Sequence, residues 1–265
     1  MDTLLREPVD VLAWASDPVL RRNSSSGGFV RAMLTYLLQT GQIDAALVAR
    51  TGAEDDPFQP GFTVVDDPEE LRSRRYCSVY HPTDPFETVL QPGLRYAITL
   101  LPCQVERLRC LQQSGCWPQV RYVFSLLCAG MPRLEWTQSL FKKQGASTPT
   151  DVGYRGNGWP GTMVTSGIES PMPTWTDDDV IPRCLRCRRT TAESDWTCAD
   201  PWGRKQEWVG SGMTLVRIHT SEALRLTKEA QQAEFIIQEP DDGLMERRLK
   251  RHAKRRRFPE RTRRG

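Results

Sequence analysis

Four of the eight cysteines in this 265-residue chain stand where they could ligate one metal centre. Cys184 and Cys187 form a C-x-x-C, a spacing that lets two thiolates of one turn reach the same centre. Cys103 and Cys128 each follow an apolar run that predicts a β-strand, and each has a turn-forming residue close by. In an open α/β sheet, ligands gather at strand ends. Together these cysteines supply the four thiolates that a [4Fe–4S] cluster requires.

A structural zinc ion and disulfide bonds are the alternatives for these cysteines. Zinc takes the same ligands but usually uses two C-x-x-C-like pairs, and this chain has one. The first residues show no basic segment followed by an apolar one, so we predict no signal peptide and expect a cytoplasmic protein, in which structural disulfides are rare. Cys110 lies on a predicted helix and is expected to be ordinary core material. The spacing of Cys77 and Cys116 does not require a second cluster.

Two further segments could hold an anion or an aromatic cofactor. The run from Ser24 through Ser25, Ser26, Gly27 and Gly28 precedes a predicted helix, whose free N–H groups and dipole favour a phosphate. The simpler interpretation is a helix N-cap after a turn. In the Gly-rich loop 154–161, Arg155 and Trp159 offer a planar cation and a large ring that could pair with or stack on a flavin. A surface turn with one packed Trp is the plainer alternative.

Composition describes a globular chain with polar ends. Hydrophobic residues make up 38% of the sequence, mean hydropathy is −0.52, and no apolar run approaches the roughly 20 residues of a membrane span. The net charge of +3 is uneven, because residues 246–265 carry 11 Lys/Arg and 2 Asp/Glu, a local +9 that leaves the rest at about −6. The net negative charge of the rest of the chain, and the confinement of the basic run to this tail, argue against nucleic-acid binding. P-loop, G-x-G-x-x-G and G-x-S-x-G motifs are absent from the sequence.

Strand and helix patterns alternate through the first half, which predicts an α/β fold with a mixed sheet flanked by helices. The second half is expected to be loop-rich and to bind the cluster. We therefore predict an α/β part at 1–150, a loop-rich, cluster-binding part at 151–240, and a basic tail at 241–265 that is disordered or docks on a partner. The strand candidates are Val9–Ala13, Ala45–Ala49, Tyr96–Leu101, Val120–Leu127 and Thr214–Ile218.

The chain resembles the beta subunits of deazaflavin-coenzyme-reducing hydrogenases and dehydrogenases, which include formate dehydrogenase beta subunits and a hydroxymethyl chlorophyll a reductase. Seven short motifs carry the resemblance, in the family's order across about residues 20–230. They are Ser25-Ser26-Gly27-Gly28, Pro102-Cys103-Gln104, Cys128-Ala129-Gly130, Tyr154-Arg155 through Trp159, Cys184-x-x-Cys187, Asp195 to Asp200-Pro201-Trp202-Gly203, and Gly210-x-Gly212 with Leu215-Val216-Arg217.

The resemblance implies an oxidoreductase subunit that passes electrons between a two-electron carrier, FAD and one [4Fe–4S] cluster. The carrier would be a deazaflavin coenzyme, a nicotinamide or a ferredoxin, and the partners would be other redox subunits of a hetero-oligomeric complex. The implied cluster ligands are Cys103, Cys128, Cys184 and Cys187. The implied FAD-binding residues are Ser25, Ser26, Gly27, Gly28, Tyr76, Arg155, Trp159, Asp200 and Trp202.

The sequence also departs from the family pattern at two places. Leu100-Leu101 stand before Pro102 where the family tends to have Gly-Thr, and Cys198-Ala199 stand where it tends to have an aliphatic residue and Gly. These departures leave open an alternative function, a non-catalytic assembly subunit that keeps the fold and the cluster while its flavin site has degenerated.

Overall fold

A computed structural model describes residues 3–51, 60–143, 152–165, 167–171, 174–204 and 210–257. Its strands are β1 (Leu4–Ala15), β2 (Ala45–Arg50), β3 (Gly61–Val65), β4 (Tyr96–Leu100), β5 (Val120–Leu126), β6 (Val152–Gly153), β7 (Thr162–Thr165), β8 (Ile168–Pro171), β9 (Trp196–Ala199), β10 (Thr214–Thr220) and β11 (Ile236–Pro240). Its α-helices are α1 (Pro18–Arg22), α2 (Phe29–Gln39), α3 (Pro102–Gln113), α4 (Leu134–Lys143), α5 (Pro182–Leu185), α6 (Ser221–Gln232) and α7 (Leu244–Arg257). Short 3-10 helices cover Pro68–Arg72, Arg74–Tyr76, Pro85–Glu87 and Asp177–Asp179.

Eight strands form one mixed sheet in the order β11-β1-β10-β9-β5-β4-β2-β3. Strands β2, β4, β5 and β9 run parallel, whereas β3, β10, β1 and β11 are antiparallel to their neighbours. The predicted α/β class with a mixed sheet is confirmed. The directions of pairing bring five strand termini to one side, which we call the upper edge: Ala15, Leu100, Leu126, Ala199 and Thr214.

Helices cover both faces of this sheet because its strands present apolar side chains on both sides. On one face α2 and α6 pack on β1, β5, β9 and β10, and Phe124 stacks on Trp196 at 4.4 Å between ring centroids. On the other face Val105 and Leu108 of α3 pack on β4 and β5, while α7 covers β1 and β10. The alternation in β1 is typical of a strand between two layers, since Val11 and Ala13 face α2 and Leu12 faces α7.

Strand β9 is only four residues long and is held by the buried Asp195 that precedes it. The Asp195 carboxylate accepts hydrogen bonds from the Val123 N–H at 2.8 Å and from the Thr220 hydroxyl at 3.2 Å. Its own N–H donates to the Val123 carbonyl at 3.0 Å. One buried carboxylate thereby connects β5, β9 and β10, and it places Asp200 at the upper edge.

The structure differs from the predicted domain organisation in two respects. Strands β9, β10 and β11 belong to the same sheet as the strands before residue 150, so the predicted boundary falls inside one sheet. The tail, predicted to be disordered or to dock on a partner, forms helix α7 over residues 244–257. Leu244 and Met245 are buried against β1 and β10, so apolar contact orders this basic segment. Residues 258–265 lie outside the described ranges.

Candidate functional site

Cys103 and Cys128 both lie at the upper edge, each just after a parallel strand. Helix α3 begins at Pro102 directly after β4, and Cys103 is its second residue. The Gln104 side chain accepts from the Leu101 N–H and donates to the Thr83 carbonyl, both at 2.9 Å. This pair of hydrogen bonds fixes the start of α3 against the 82–83 loop. Cys128 follows β5, which pairs in parallel with β4.

The C-x-x-C segment is held over these strand ends by the chain that follows β5. The Ile181 N–H donates to the Met131 carbonyl at 2.9 Å, and Pro132 pairs with Val180 in an antiparallel bridge. Gly130 has a positive φ of 126°, and a Cβ there would lie 3.3 Å from Val180. These contacts carry the chain directly into α5, whose third residue is Cys184, and Cys187 follows one turn later.

The four cysteines predicted as ligands line one cavity of about 530 Å³, a volume that includes the open solvent at its mouth. Burial raises the pKa of the Cys103 thiol, and the neighbouring Cys187 and Cys184 thiols raise it further. The described residues nevertheless contain no group of three His, Cys, Asp or Glu side chains gathered tightly enough for a single metal ion. Four cysteine thiolates are the donor set that a [4Fe–4S] cluster takes, and a structural zinc ion takes the same donors. The remaining lining residues are Pro82, Thr83, Leu101, Pro102, Gln104, Met131, Arg183 and Arg189.

The other four cysteines lie outside this cavity. All eight are in the described part of the chain, and none of them forms a disulfide. Cys110 was expected in the core and is exposed, because it stands on the outer side of α3 from Leu108. Cys77 and Cys198 are buried, and burial raises the pKa of the Cys198 thiol. Cys116 is exposed in the turn after α3.

The serine–glycine segment also lies at the upper edge, packed against the start of β10. Gly27 has no room for a side chain, because a Cβ would lie 2.6 Å from the Thr214 nitrogen. Gly28 is the N-cap of α2 with φ 80°, and no described side chain caps that helix. The Ser26 hydroxyl donates to the Met213 carbonyl, and the Ser25 hydroxyl accepts from the Ser78 N–H at 2.8 Å. The backbone N–H groups of the first turn of α2 are therefore the donors available to an anion.

Arg155 is the centre of a second cluster at the upper edge. Its side chain is 5% exposed, and Nη1 donates to the Asp200 Oδ2 at 2.8 Å and to the Tyr80 hydroxyl oxygen at 3.2 Å. Burial works against the charged guanidinium, but the Asp200 carboxylate raises the pKa of Arg155 above its ordinary value. The guanidinium lies 5.2 Å from the Trp159 ring, which contacts Trp202 edge-to-face at 4.7 Å. Arg155, Trp159, Asp200 and Trp202 are thus brought together.

Within this cluster the Arg155 Nη2 is buried and has no hydrogen-bond partner among the described residues. A buried, unpaired guanidinium N–H is costly unless a ligand accepts from it. The loop beside it is tied to the serine–glycine segment, because the Asn157 N–H donates to the Arg22 carbonyl at 2.7 Å and the Arg21 Nε donates to the Gly212 carbonyl at 2.8 Å. Tyr76 is placed differently, since its hydroxyl bonds the exposed Glu70 at 3.0 Å.

Sequence reasoning missed several residues that complete the two clusters. Tyr80 bonds Arg155 and precedes His81, which is buried against the Tyr154 ring. Both His81 ring nitrogens lack hydrogen-bond partners in the described residues, and burial lowers its pKa to about 3. Pro82 and Thr83 then reach the cysteine cavity. The segment Tyr80–Thr83 matches no known motif, so only its position between the two clusters indicates its role.

Along the upper edge the two clusters adjoin. Cys128 follows β5 and Asp200 follows β9, which are neighbouring parallel strands, and the Leu127 N–H donates to the Cys198 carbonyl at 2.8 Å. The cysteine cavity occupies the β4–β5 side of the edge, and the arginine and glycine segments occupy the β9–β10–β1 side. Adjacent strands are about 4.8 Å apart, so groups bound on the two sides would be close neighbours.

Comparison with known proteins shows which family the chain resembles. Residues 11–91 match the N-terminal part, and residues 93–242 the C-terminal part, of the family described as coenzyme F420 hydrogenase/dehydrogenase, beta subunit. A coenzyme F420-dependent sulfite reductase from Methanocaldococcus jannaschii is 28% identical over 137 residues, which cover 45% of this chain and 22% of that enzyme. The chain therefore corresponds to a small part of that relative.

A solved structure has the same fold. A chain of the F420-reducing [NiFe] hydrogenase complex from Methanosarcina barkeri superposes with a TM-score of 0.74 at 19% identity, over 95% of this chain and 90% of that one. Among the helices of the described ranges, none has the length and apolar character that a bilayer crossing requires. The two family matches span most of the sequence in the right order, and the chain therefore belongs to the coenzyme F420 hydrogenase/dehydrogenase beta-subunit family.

Proposed function

We propose that this chain binds one [4Fe–4S] cluster and one FAD and passes electrons between a soluble two-electron carrier and other redox subunits of a complex. The observation that carries this proposal is the convergence of four sequence-distant cysteines on one cavity at the upper edge, next to Arg155 and Asp200. The relatives' names include coenzyme F420, which makes that deazaflavin the first carrier to test. Eight cysteines without a disulfide suit a reducing compartment such as the cytoplasm.

For the cluster, Cys103, Cys128, Cys184 and Cys187 would each supply one thiolate. The two strand-end ligands stand on a rigid parallel pair, and the other two are fixed to it through the Ile181–Met131 hydrogen bond. Gln104 supports this arrangement by joining the first turn of α3 to Thr83. Residues held in this way can accept a preformed cluster with little movement of the backbone.

For FAD, the buried Arg155 Nη2 is the donor that lacks an acceptor, and Trp159 offers a ring face beside it. The first turn of α2 would receive the pyrophosphate, because no described side chain caps the N-terminus of that helix and the residue at its N-cap, Gly28, has no side chain of its own. Trp202, 48% exposed, would cover the flavin from the solvent side. Tyr76 would lie near the flavin without bonding to it, since its hydroxyl donates to the Glu70 carboxylate.

When bound, FAD supplies hydride chemistry and the cluster supplies one-electron transfer. The protein contributes position and electrostatics. Arg155 stays charged because Asp200 balances it, and that cation beside a flavin would favour the reduced, anionic form. The Tyr80–Thr83 segment connects the two sites through the protein over four residues.

The test for the cluster is the iron, sulfide and electron paramagnetic resonance of anaerobically purified protein. We expect about four irons and four sulfides per chain. Serine at Cys103, Cys128, Cys184 or Cys187 should abolish the signal of the intact cluster. Serine at Cys110, which is exposed on the same helix as Cys103, is the matched control and should leave the iron content unchanged. Protein that binds one zinc and no sulfide would refute the proposal.

The test for FAD uses the variant Arg155→Lys, which keeps a positive charge opposite Asp200 and removes the guanidinium fork. We expect the variant to retain the cluster and to lose most of its flavin. The control is Arg107→Lys, since Arg107 makes an Nη1–Oδ2 contact of the same 2.8 Å with Asp84 at the exposed surface. Wild-type protein that holds the cluster without any flavin would instead select the alternative function, a non-catalytic assembly subunit.

A further inference from the structure

Four arginines flank the two cysteines of the C-x-x-C within seven residues. They are Arg183, Arg186, Arg188 and Arg189, and all four are exposed. We call them the arginine rim. Arg183 and Arg189 line the cysteine cavity, and no acidic side chain of the described residues does. Two of the four rim arginines therefore belong to the wall of the cavity, and the other two are their exposed neighbours in the sequence.

Three arginines of the rim have no carboxylate to balance their charge. Within the described ranges no ion pair involves Arg183, Arg186 or Arg188, and Arg189 pairs with Glu106. The acidic residue next to the lining Thr83 is engaged elsewhere, since Asp84 pairs with Arg107 at 2.8 Å. Three exposed arginines without an ion pair among the described residues therefore lie within six residues of the sequence, and one of them, Arg183, lines the cavity of the thiols.

The exposure of the proposed cysteine ligands also indicates that a cluster bound to them would be reached from the surface. Cys103 is exposed and Cys184 and Cys187 are half-buried, whereas Cys77 and Cys198 are buried. A cluster held by the first three would lie at the surface, under the rim, and on the β4–β5 side of the upper edge, away from the glycine segments. Electrons can enter or leave a surface-lying centre only through a partner that comes into contact with that surface.

We propose that the arginine rim is the docking surface for the acidic face of an electron-transfer protein that carries its own one-electron centre. This inference rests on the proposed function, because it requires a cluster at the four cysteines. Opposite charge accelerates encounter and orients the partner so that its centre faces the cluster. One electron crosses the contact in each transfer, and the cluster and the partner's centre change oxidation state by one in opposite directions.

The first measurement uses unmodified holoprotein and two small oxidants of opposite charge. Protein reduced with dithionite, then freed of it, is mixed with tris(oxalato)cobaltate(III) or with hexaamminecobalt(III). Each Co(III) takes one electron and becomes Co(II), and loss of the electron paramagnetic resonance signal of the reduced cluster in rapidly frozen samples gives the rate. We expect the rate with the anionic complex to fall about tenfold as ionic strength rises from about 10 to about 500 mM, and the rate with the cationic complex to rise. This arm needs no variant, so it stays decisive if variants fold poorly.

The second measurement compares two variants with the same loss of charge. Arg183→Gln, Arg186→Gln and Arg188→Gln together remove the unpaired rim. Arg247→Gln, Lys250→Gln and Arg251→Gln together remove three exposed cations of α7. With a purified acidic [2Fe–2S] ferredoxin as protein probe, we expect the rim variant to transfer electrons at least about fivefold more slowly at low salt and the α7 variant to match the wild type.

Equal rates in the two variants would overturn the inference, as would a rim variant whose only change is the reduction potential of its cluster. Preferential binding of a short single-stranded RNA over the ferredoxin, lost in the rim variant, would overturn it in favour of a nucleic-acid surface. Protein without iron, sulfide and flavin would instead refute the proposed function. Protein that holds both cofactors, and whose rate of electron transfer is the same with and without the rim arginines, would refute the docking surface alone.

Discussion

Two ion pairs of equal geometry allow the role of Asp200 to be isolated. Arg155–Asp200 and Arg107–Asp84 each join Nη1 to Oδ2 at 2.8 Å, but the side chains are 5% and 25% exposed in the first pair and 57% and 38% in the second. We consider Asp200→Asn with Asp84→Asn as its matched control. Each substitution removes one charge and keeps the shape and one acceptor oxygen. The difference between the two losses of stability therefore measures what it costs to leave a buried arginine, rather than an exposed one, without its carboxylate partner.

The magnitude follows from the surroundings of each arginine. Two unit charges about 4 Å apart interact by about 4 kcal/mol at an effective dielectric constant of about 20, and by about 1 kcal/mol in water. Leaving a buried partner uncompensated costs about 3–5 kcal/mol, whereas exposed pairs contribute about 0–1 kcal/mol. Arg155 keeps bonds to Tyr80 and Pro160, and Asp200 is partly exposed, so the lower end applies. We expect Asp200→Asn to lower the free energy of unfolding by about 2–3 kcal/mol and Asp84→Asn by less than about 1 kcal/mol.

The assay is urea unfolding followed by tryptophan fluorescence, without added flavin so that ligand binding does not contribute. The slope against urea must be the same in the two variants and the wild type for the comparison to hold. Equal losses of stability in the two variants would refute the reasoning, because they would show that water or relaxation screens Arg155 as fully as Arg107. A stabilised Asp200→Asn variant would refute it as well.

Three further predictions use other parts of the structure. Gly93→Ala should lower the free energy of unfolding by about 1–2 kcal/mol, because Gly93 has a positive φ. Gly212→Ala should lower it far more, because Gly212 also has a positive φ and a Cβ there would lie 2.0 Å from the Ser26 carbonyl oxygen. Thermal unfolding of the two variants measures the difference. His81 has a folded pKa of about 3 against an ordinary 6.5, so between these values the unfolded chain binds a proton that the folded chain does not. The free energy of unfolding should therefore fall by about 1.4 kcal/mol per pH unit as the pH drops from 6.5 towards 3. Urea unfolding at about pH 7, 6 and 5 should show a shallower fall in the variant His81→Gln than in the wild type. Met245→Ala should cost about 2–5 kcal/mol and Arg251→Ala almost nothing, and equal losses in calorimetry would mean that α7 does not pack as described.

The cysteine site could be predicted because its elements obey local rules. Strands β4 and β5 are largely apolar and mostly buried, as parallel strands covered on both faces are, and they end at Leu100 and Leu126, just before Cys103 and Cys128. The C-x-x-C spacing places the remaining two ligands in one turn. What could not be predicted is the contact that brings this turn to the strand ends, since the Ile181–Met131 hydrogen bond joins residues with no shared pattern.

Other elements could not be predicted from the sequence because of their composition. Strand β9 has four residues, all buried, so it shows no alternation, and a Thr and a Cys dilute its apolar character. In α7 the apolar positions Leu244, Met245 and Leu249 lie at helical spacing, but the arginines between them dominate the composition and suggested a tail without structure. Cys110 was misplaced because a helix stripe was assigned without knowing which side of α3 faces the sheet. Hydrophobic periodicity finds elements, whereas charge-rich or very short ones depend on tertiary contact.

The position of β1 inside the sheet has a consequence for how the protein is made. This strand is the first of the described elements to leave the ribosome, yet both of its partners, β10 and β11, follow about 200 residues later. Until they emerge, β1 carries two unpaired edges, and β5 still waits for β9. The nascent chain must therefore be protected from aggregation while the segments between these strands are synthesised. The upper edge forms only once β9 and β10 have joined it, so the proposed cluster and flavin could bind only at that late stage.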